Sequence, residues 1–404
     1  MLKQVPLFVR QRNDSGERGG STFFSNVSAK AIQSIALGSA FLFVFGWAQP
    51  KANAQVTVLH SFGDGSVPKD GADPAGGLIQ APDGNFYGGT LSNVSTDGAT
   101  VFQMTPAGVV TSIRLFEKGM FIAEALVYDN GKLIGITYGP APGNARLFGL
   151  TQSAKGSWSK SIWYKYSRLS SGPRAPCGPL VLATNGDLYD ATSDGGSKDG
   201  TIYKVNPKTH QLTVIANFKA SNPGSAPGTG LLQASDGNFY GGTYALSNPG
   251  EIFKVTPSGK VSTFYTFSAV TVGLDWPLIE GSDGNFYGTA SNFVFKMTSN
   301  ATLTILYTLA ETDGYPLAGS VARGPNGNLY GLCTYGGTAG FGTIYEVSPD
   351  GSSFAILHNF GDGSVPNDGE YPLGRLLLGA DNNFYGVTQG GGSAGSGTIF
   401  KVSP

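Results

Sequence analysis

The residue types best suited to chemistry in this sequence are carboxylates that stand close to an aromatic ring. Three such groups precede apolar runs, and their members are Asp275 with Trp276, Asp313 with Tyr315, and Glu370 with Tyr371. Arg174 and Arg375 occupy similar places and would supply counter-charges. Rings stack on the apolar face of a sugar while carboxylates hold its hydroxyl groups, so the pattern favours a carbohydrate ligand. Packing between structural repeats is the alternative use of the same rings.

The three carboxylates are also the candidate catalytic residues. Two carboxyl groups at a suitable separation hydrolyse a glycosidic bond. Binding without turnover is the favoured hypothesis, with Trp276, Tyr315, Tyr371, Arg174 and Arg375 as ligand-binding residues. The alternative is a carbohydrate hydrolase or lyase that uses Asp275, Asp313 and Glu370.

Two loops rich in aspartate form a second candidate site. Residues 56–68 nearly duplicate residues 355–366, and this places three acidic residues of the first loop one repeat from their expected counterparts in the second: Asp64, Asp70 and Asp73 against Asp362, Asp368 and Glu370. Oxygen-rich loops of this kind bind calcium. Their spacing matches no calcium-loop signature, however, and aspartate with glycine also forms ordinary solvated turns. Calcium is the one cofactor considered, and its candidate ligands are Asp64, Asp70, Asp73, Asp362 and Asp368.

The elements that must position these residues are tandem repeats. The segment Asp-Gly-Asn-Phe-Tyr-Gly at 83–88 returns six more times with drift, at intervals of 43 to 55 residues. A four-stranded propeller blade needs about that much chain. The sequence therefore predicts an all-β, seven-bladed β-propeller with four antiparallel strands in each blade. The Asp-Gly and Asn-Gly pairs predict two-residue hairpins with positive φ at both turn residues.

The near-duplication of the two acidic loops also predicts how the ring closes. The seventh copy provides three strands before Pro404, and residues 56–68 match the fourth strand of the sixth copy and the loop after it. We expect the first strand after residue 55 to complete the last blade, which protects its edges. Residues 55–404 are then predicted to form a single domain.

Residues 1–54 have the composition of a leader and signal peptide. A 17-residue apolar stretch from Ala31 to Trp47 follows Lys30, and Ala52-Asn-Ala54 fits a cleavage site after Ala54. The expected location is secreted or periplasmic, with no transmembrane segment in the mature chain. An uncleaved membrane anchor is the alternative.

Charge and cysteine content narrow the function further. Residues 1–54 hold 6 of the 26 basic and 2 of the 27 acidic residues, which leaves 20 basic and 25 acidic residues in 55–404. No basic cluster occurs among them, so nucleic acid is not an expected partner. Cys177 and Cys333 fall in different repeats and are predicted to be free thiols. His60 and His358 occupy equivalent repeat positions, which favours packing over catalysis.

The motif Asp-Gly-Asn-Phe-Tyr-Gly-Gly-Thr, a glycine-rich link and Gly-Thr-Ile-Phe-Lys-Val-Ser-Pro together resemble the GloVer tandem repeat of exported bacterial proteins. The resemblance covers essentially all of 56–404; the second copy and the third, in which Asp190 replaces the motif glycine, diverge from it. It implies export and repeat architecture but no reaction and no catalytic residues. The expected protein is a monomeric binding or scaffold propeller whose partner is a polysaccharide or an extracellular protein. An enzyme would instead show one asymmetric cluster that contains an acid with a perturbed pKa.

Overall fold

The computed structural model describes residues 55–404, except 93–97, 140–143, 167–171, 197–198, 220–225, 244–248, 270–271, 316 and 318. The predicted leader, with its cleavage site after Ala54, lies outside the described residues and stays a prediction. Every regular element in the described part is a β-strand, and the strands form seven antiparallel sheets. The protein is a seven-bladed β-propeller, as the repeat predicted.

The strands run from the centre of the ring outwards within each blade. The first strand, β1 (Val56–Ser61), belongs to the last blade. Blade 1 contains β2 (Ala72–Gln80), β3 (Phe86–Ser92), β4 (Thr100–Met104) and β5 (Val110–Leu115). Blade 2 contains β6 (Val127–Asp129), β7 (Lys132–Thr137), β8 (Arg146–Gln152) and β9 (Trp158–Lys165). Blade 3 contains β10 (Pro173–Pro176), β11 (Val181–Leu182), β12 (Leu188–Gly195), β13 (Thr201–Val205) and β14 (Leu212–Asn217).

The remaining blades follow the same order. Blade 4 contains β15 (Leu232–Gln233), β16 (Phe239–Gly242), β17 (Glu251–Val255) and β18 (Val261–Thr266). Blade 5 contains β19 (Ile279–Glu280), β20 (Phe286–Ala290), β21 (Phe293–Met297) and β22 (Leu303–Thr308). Blade 6 contains β23 (Ala322–Arg323), β24 (Leu329–Cys333), β25 (Thr343–Val347) and β26 (Phe354–Asn359). Blade 7 contains β27 (Glu370–Leu378), β28 (Phe384–Gly390), β29 (Thr398–Val402) and β1.

Blade 3 differs from the predicted four strands because its innermost strand is in two pieces. Both β10 and β11 pair with β12, and Pro179 lies between them. Proline has no N–H to donate to the neighbouring strand, so the ladder is interrupted there.

The first strand closes the ring as predicted. β1 runs antiparallel to β29, with Val56 opposite Val402 and Ser61 opposite Thr398. The backbone N–H of Phe62 then donates to the carbonyl of Gly397 at 3.0 Å, and the Phe62 ring is fully buried. The outermost strand of blade 7 is therefore supplied by the opposite end of the described chain, and we call β1 the latch strand.

The hairpin prediction was wrong for most blades. At 83–84 only Gly84 has positive φ, and its N–H donates to the carbonyl of Ala81 while the Ala81 N–H donates to Asn85. This pattern is a type I turn followed by a glycine bulge, a three-residue connection. Asp83 keeps the right-handed conformation because its carboxylate accepts hydrogen bonds from the Asn85 N–H and the Tyr87 hydroxyl at 2.9 and 2.7 Å.

Two copies show what the turn requires. Blade 2 has the predicted two-residue turn, with φ of 46° at Asn130 and 81° at Gly131. In the last copy, Asn382 takes the glycine place with φ of 61°, a conformation that asparagine tolerates better than most residues.

The core lies between blades. Seven apolar clusters fill the described part, one between each pair of neighbouring blades. Second-strand glycines allow this packing, since a Cβ at Gly88 would lie 2.5 Å from the ring of Phe102. The inward-facing ends of the innermost strands are left to line the centre of the ring.

Candidate functional site

Neighbouring innermost strands approach each other closely at one position in each strand, and we call the ring of these positions the central level. The position in each strand is the residue two places before a buried aliphatic side chain, such as Leu78 or Leu126. Around the ring the seven residues are Gly76, Glu124, Gly178, Thr229, Trp276, Gly319 and Gly374. Four of them are glycine because neighbouring strands touch: a Cβ on Gly76 would overlap the backbone of Glu124, and one on Gly319 would overlap Gly374. Long side chains at this level are therefore few.

A cavity of about 880 Å³ extends from this level along the innermost strands towards the Asp-Gly hairpins. Glu124, Trp276 and Arg375 lie at its inner end, while Pro82 and Thr184 mark the hairpin side. Two of the predicted ligand-binding residues, Trp276 and Arg375, are thus brought together. They line the cavity on the hairpin side of the ring.

Two of the three charged residues that line this cavity, Glu124 and Arg375, have no partner among the described residues, whereas Glu280 accepts hydrogen bonds from Ser235. Neither Glu124 nor Arg375 forms a hydrogen bond or ion pair with any other described residue. Burial raises the pKa of Glu124 to about 7 and lowers the pKa of Arg375. The indole N–H of Trp276 donates to the carbonyl of Leu317 at 3.1 Å, which fixes its ring. The cavity therefore offers a weakened acid, a free guanidinium and a fixed aromatic ring to a ligand.

A second site lies on the opposite face, between blades 6 and 7. The Tyr371 ring contacts the rings of Tyr335 and Phe341 there, and the Tyr315 N–H donates to the Tyr335 carbonyl at 3.1 Å. We call these four residues the aromatic patch. The Tyr371 ring lies 5.3 Å from Tyr335 and 5.6 Å from Phe341, centroid to centroid. Tyr315 and Tyr335 are 53% and 44% exposed, whereas the other tyrosines that the structure describes are buried or half-buried.

The carboxylate of Glu370 stands beside the aromatic patch. A Cβ on Gly390 would lie 3.3 Å from the Tyr371 ring and 3.7 Å from Oε2 of Glu370. Burial, and secondarily the charge of Asp368, raise the pKa of Glu370. Three of the predicted residues, Tyr315, Glu370 and Tyr371, are therefore brought together here. Tyr335 and Phe341 were not predicted, because they lie in the glycine-rich segment 334–342, which contains no carboxylate beside a ring.

The other predicted residues do not join these two sites. Asp275 lies just outside the cavity, where protein atoms around its carboxylate outweigh a hydrogen bond from the Ser291 N–H and raise its pKa to about 7. Asp313 instead serves its own loop, since it accepts the Tyr307 hydroxyl at 3.1 Å and the Ala310 N–H at 2.9 Å.

Arg174 is likewise engaged elsewhere. Its guanidinium forms an ion pair with Asp194 of the same blade at 3.1 Å. Asp194 was not among the predicted carboxylates.

The acidic loops are organised by histidine. Asp70 accepts from the ring of His60 at 2.8 Å, and Asp368 accepts from His358 at 2.7 Å. Asp64 and Asp362 instead accept backbone N–H groups two residues ahead, and Asp73 accepts the Ser92 hydroxyl. Within the described residues no three histidine, cysteine or acidic side chains converge as metal ligands. Calcium binding stays a prediction.

One predicted correspondence between the loops was wrong. The structural equivalent of Asp73 is Tyr371, since both have positive φ, 55° and 59°, and both precede a proline that faces the second strand. Glu370 is the equivalent of Ala72. The prediction failed because it matched acidic residues by type and not by their distance from the shared glycine.

A buried acid between blades 2 and 3 was not predicted as a site. Asp190 is inaccessible to solvent, and its carboxyl accepts the Tyr203 hydroxyl at 2.9 Å. The Tyr203 and Tyr166 hydroxyls are in turn 2.5 Å apart. Burial raises the pKa of Asp190 well above its usual value. The sequence signal was present, because aspartate here replaces the motif glycine, but the group is too enclosed to meet a substrate.

Both cysteines are free thiols, as predicted. Cys177 lies close to Asp190, and burial raises the pKa of both thiols well above the usual value. A thiol that resists ionisation is a poor nucleophile. The cysteines are structural.

Comparison with known proteins identifies the family of this chain. The profile described as the Gloeobacter/Verrucomicrobia repeat matches residues 143–293 and 291–404, well over half of the chain. The chain belongs to the Gloeobacter/Verrucomicrobia repeat family. This confirms the resemblance to the GloVer repeat. No curated protein matches the sequence.

Solved structures share the fold of this repeat protein. Streptogramin B lyase is 17% identical, with a TM-score of 0.58 over 87% of this chain and 98% of that one. Virginiamycin B lyase from Staphylococcus aureus is 15% identical, with a TM-score of 0.57 over 87% and 99%. The extracellular domain of a hybrid two-component system from B. thetaiotaomicron is 12% identical, with a TM-score of 0.57 over 86% and 39%. At these identities the likeness shows the propeller fold alone.

The described part of this repeat protein contains no helix with the length and apolar character needed to cross a bilayer.

Proposed function

We propose that this propeller is an exported, non-catalytic protein that binds a polysaccharide through the aromatic patch. The observation that carries the proposal is the exposure of Tyr315 and Tyr335 beside Tyr371 and Glu370. The exposure of apolar ring surface to water is unfavourable unless a ligand covers the rings. Tyrosine combines a flat apolar face with a hydroxyl group. The sugar rings stack on the tyrosines while Glu370 accepts hydrogen bonds from hydroxyl groups.

A polysaccharide suits this surface better than a protein. The patch consists of a few rings and one acid, whereas a stable protein interface needs about 800 Å² on each partner with a buried apolar centre. An extended chain of sugars covers successive rings without such a centre.

Export is part of the same proposal. It is supported by the leader-like composition of residues 1–54 and by the extracellular setting of one structural neighbour. N-terminal sequencing of the mature protein from culture medium and periplasm is the test, with Gln55 expected as the first residue. A mature protein that still begins at Met1 contradicts the proposal.

The binding site is tested with a glycan array followed by affinity measurements on the best polysaccharide. Tyr335→Ala and Tyr371→Ala are each expected to weaken binding about tenfold, the effect of losing one stacking ring. Ile305→Ala is the matched control, because Ile305 is 51% exposed on the outermost strand of blade 5, whereas the patch lies between blades 6 and 7. Unchanged affinity in the Tyr335→Ala/Tyr371→Ala double variant, or binding to proteins alone, contradicts the proposal.

A secreted carbohydrate hydrolase or lyase is the second candidate, and one observation favours it. The carboxyl of Asp275 has a pKa raised to about 7 although solvent reaches it, and a general acid near neutrality needs such a value. Product analysis on any bound glycan separates the two functions. New reducing or unsaturated ends that disappear in Asp275→Ala favour the enzyme, whereas the absence of products favours binding. Products that survive Asp275→Ala, Asp313→Ala and Glu370→Ala exclude these carboxylates.

A further inference from the structure

The central cavity holds a combination of groups that folding does not require. Glu124, Trp276 and Arg375 come from blades 2, 5 and 7 and line one space of about 880 Å³. Glu124 and Trp276 occupy the central level defined above, where the other five residues are glycine or threonine, and Arg375 directly follows Gly374 of that level. These three long side chains therefore break the symmetry of the ring.

The two charged groups are opposite in sign, share the cavity, and yet remain unpaired with each other. Their charged atoms are more than 4.0 Å apart, because no ion pair joins them, and no other described side chain binds either group. Glu124 is half-buried and Arg375 is exposed, so both side chains can reach a ligand that enters the cavity. Here the geometry leaves room for a molecule between them.

The chemistry of each group restricts that molecule. A guanidinium presents a planar fork of N–H donors, which matches a carboxylate with two parallel hydrogen bonds. The carboxyl of Glu124 exchanges hydrogen bonds with hydroxyl groups, and the ring of Trp276 covers an apolar face. The volume falls within the range of pockets that enclose small ligands.

We infer that the central cavity binds an acidic sugar, a uronate, whose carboxylate pairs with Arg375 while its hydroxyl groups bind Glu124 and its ring lies against Trp276. This site differs from the aromatic patch in its residues, its blades and its face. It does not depend on the proposed function of that patch, and it extends the protein to a second class of ligand.

The test is isothermal titration of the full mature protein with glucuronate and galacturonate, and with glucose, galactose and glutamate as comparisons. The uronates are expected to bind at least about tenfold more tightly than the neutral sugars, the effect of one charge-assisted contact. Equal affinity for glucose and glucuronate overturns the inference. So does the absence of binding by either uronate at a concentration of about 10 mM, ten times a Kd of about 1 mM. A preference for glutamate overturns the assignment to sugars.

Variants then locate the site. Arg375→Gln is expected to reduce uronate affinity about tenfold to a hundredfold, with Arg375→Lys intermediate because it keeps the charge without the fork. Arg114→Gln on the outer strand β5 is the matched control. Wild-type uronate affinity in Arg375→Gln overturns the inference. If Arg375→Gln does not fold, the uronate affinity of Arg375→Lys and the preference of the wild-type protein for uronates over neutral sugars decide whether the inference holds. Tyr335→Ala must leave uronate affinity unchanged, which separates this site from the aromatic patch.

Discussion

The Nε2 atom of His60 lies 2.8 Å from Oδ2 of Asp70, and both side chains are buried where the latch strand passes into blade 1. The same arrangement recurs at His358 and Asp368, between blades 6 and 7. In each case the aspartate also accepts the backbone N–H of a nearby glycine, Gly63 or Gly361. The pair therefore fastens the loop that leads from an outermost strand to the next blade.

Removing this histidine is expected to destabilise the protein. His358→Ala leaves the buried Asp368 carboxylate short of a partner, and we expect a loss of about 2 kcal/mol in the free energy of unfolding. His358→Gln keeps a donor and is expected to lose less. Urea unfolding of the three proteins is the measurement. An alanine variant as stable as wild type means that water replaces the histidine.

The latch strand gives a second prediction. Phe62 is fully buried in the cluster between blades 7 and 1, so Phe62→Ala is expected to cost about 3–5 kcal/mol. Thr57→Ala, at an exposed position of the same strand, is the control and is expected to change stability by less than about 0.5 kcal/mol. Deletion of residues 56–62 is expected to abolish cooperative unfolding. Calorimetry decides, and unchanged melting of the deletion variant contradicts closure by the latch strand.

The carboxyls at the centre of the ring predict a pH dependence. Folding raises the pKa of Asp275 from 3.8 to about 7 and of Glu124 from 4.5 to about 7, so the folded state binds protons more strongly than the unfolded state. The stability that these two carboxyls contribute is therefore fully present below about pH 4, where they are protonated in both states. It is lost as the pH rises through about 7, where they ionise in the folded state. Asp275→Asn/Glu124→Gln is expected to flatten this part of the profile. Melting temperatures across the pH range test it, and an unchanged slope in the double variant contradicts it.

The buried acid of blade 3 predicts a case of compensation. Asp190→Gly restores the motif residue but removes the acceptor of the Tyr203 hydroxyl, which also contacts the Tyr166 hydroxyl, so we expect a loss of about 1–3 kcal/mol. Adding Tyr203→Phe and Tyr166→Phe removes both hydroxyl groups that would lack an acceptor. Residues 190 and 203 are then the same as their equivalents in blade 1, Gly88 and Phe102. The triple variant is expected to recover most of the loss in urea unfolding. A triple variant less stable than Asp190→Gly contradicts this account.

The recurrence of one motif was enough to predict the fold. Blade number and the place of the latch strand follow from counting copies and from the duplication of 56–68 in 355–366. Turn type did not follow, because Asp-Gly is compatible with two hairpins and the choice depends on the hydrogen bond between Asp83 and the Tyr87 hydroxyl. That contact is a side-chain detail which the spacing of the motif does not reveal.

The candidate sites were predicted only in part for a different reason. Tyr315, Glu370 and Tyr371 were found because they stand beside recognisable strands. Glu124 was missed because the second copy of the repeat is divergent, and its innermost strand cannot be matched to those of the other copies from the sequence. Its position became evident only when the buried Leu126 fixed which residues face the centre.

The latch strand also bears on how the molecule is made. Val56–Ser61 is synthesised before the other described strands and Thr398–Val402 after them, although these two segments pair with one another. Blade 7 is consequently the last sheet to be completed, and the β-edge of the latch strand stays unpaired until Thr398–Val402 has been made. A cell that produces this protein must keep that edge covered for the whole passage of the intervening blades.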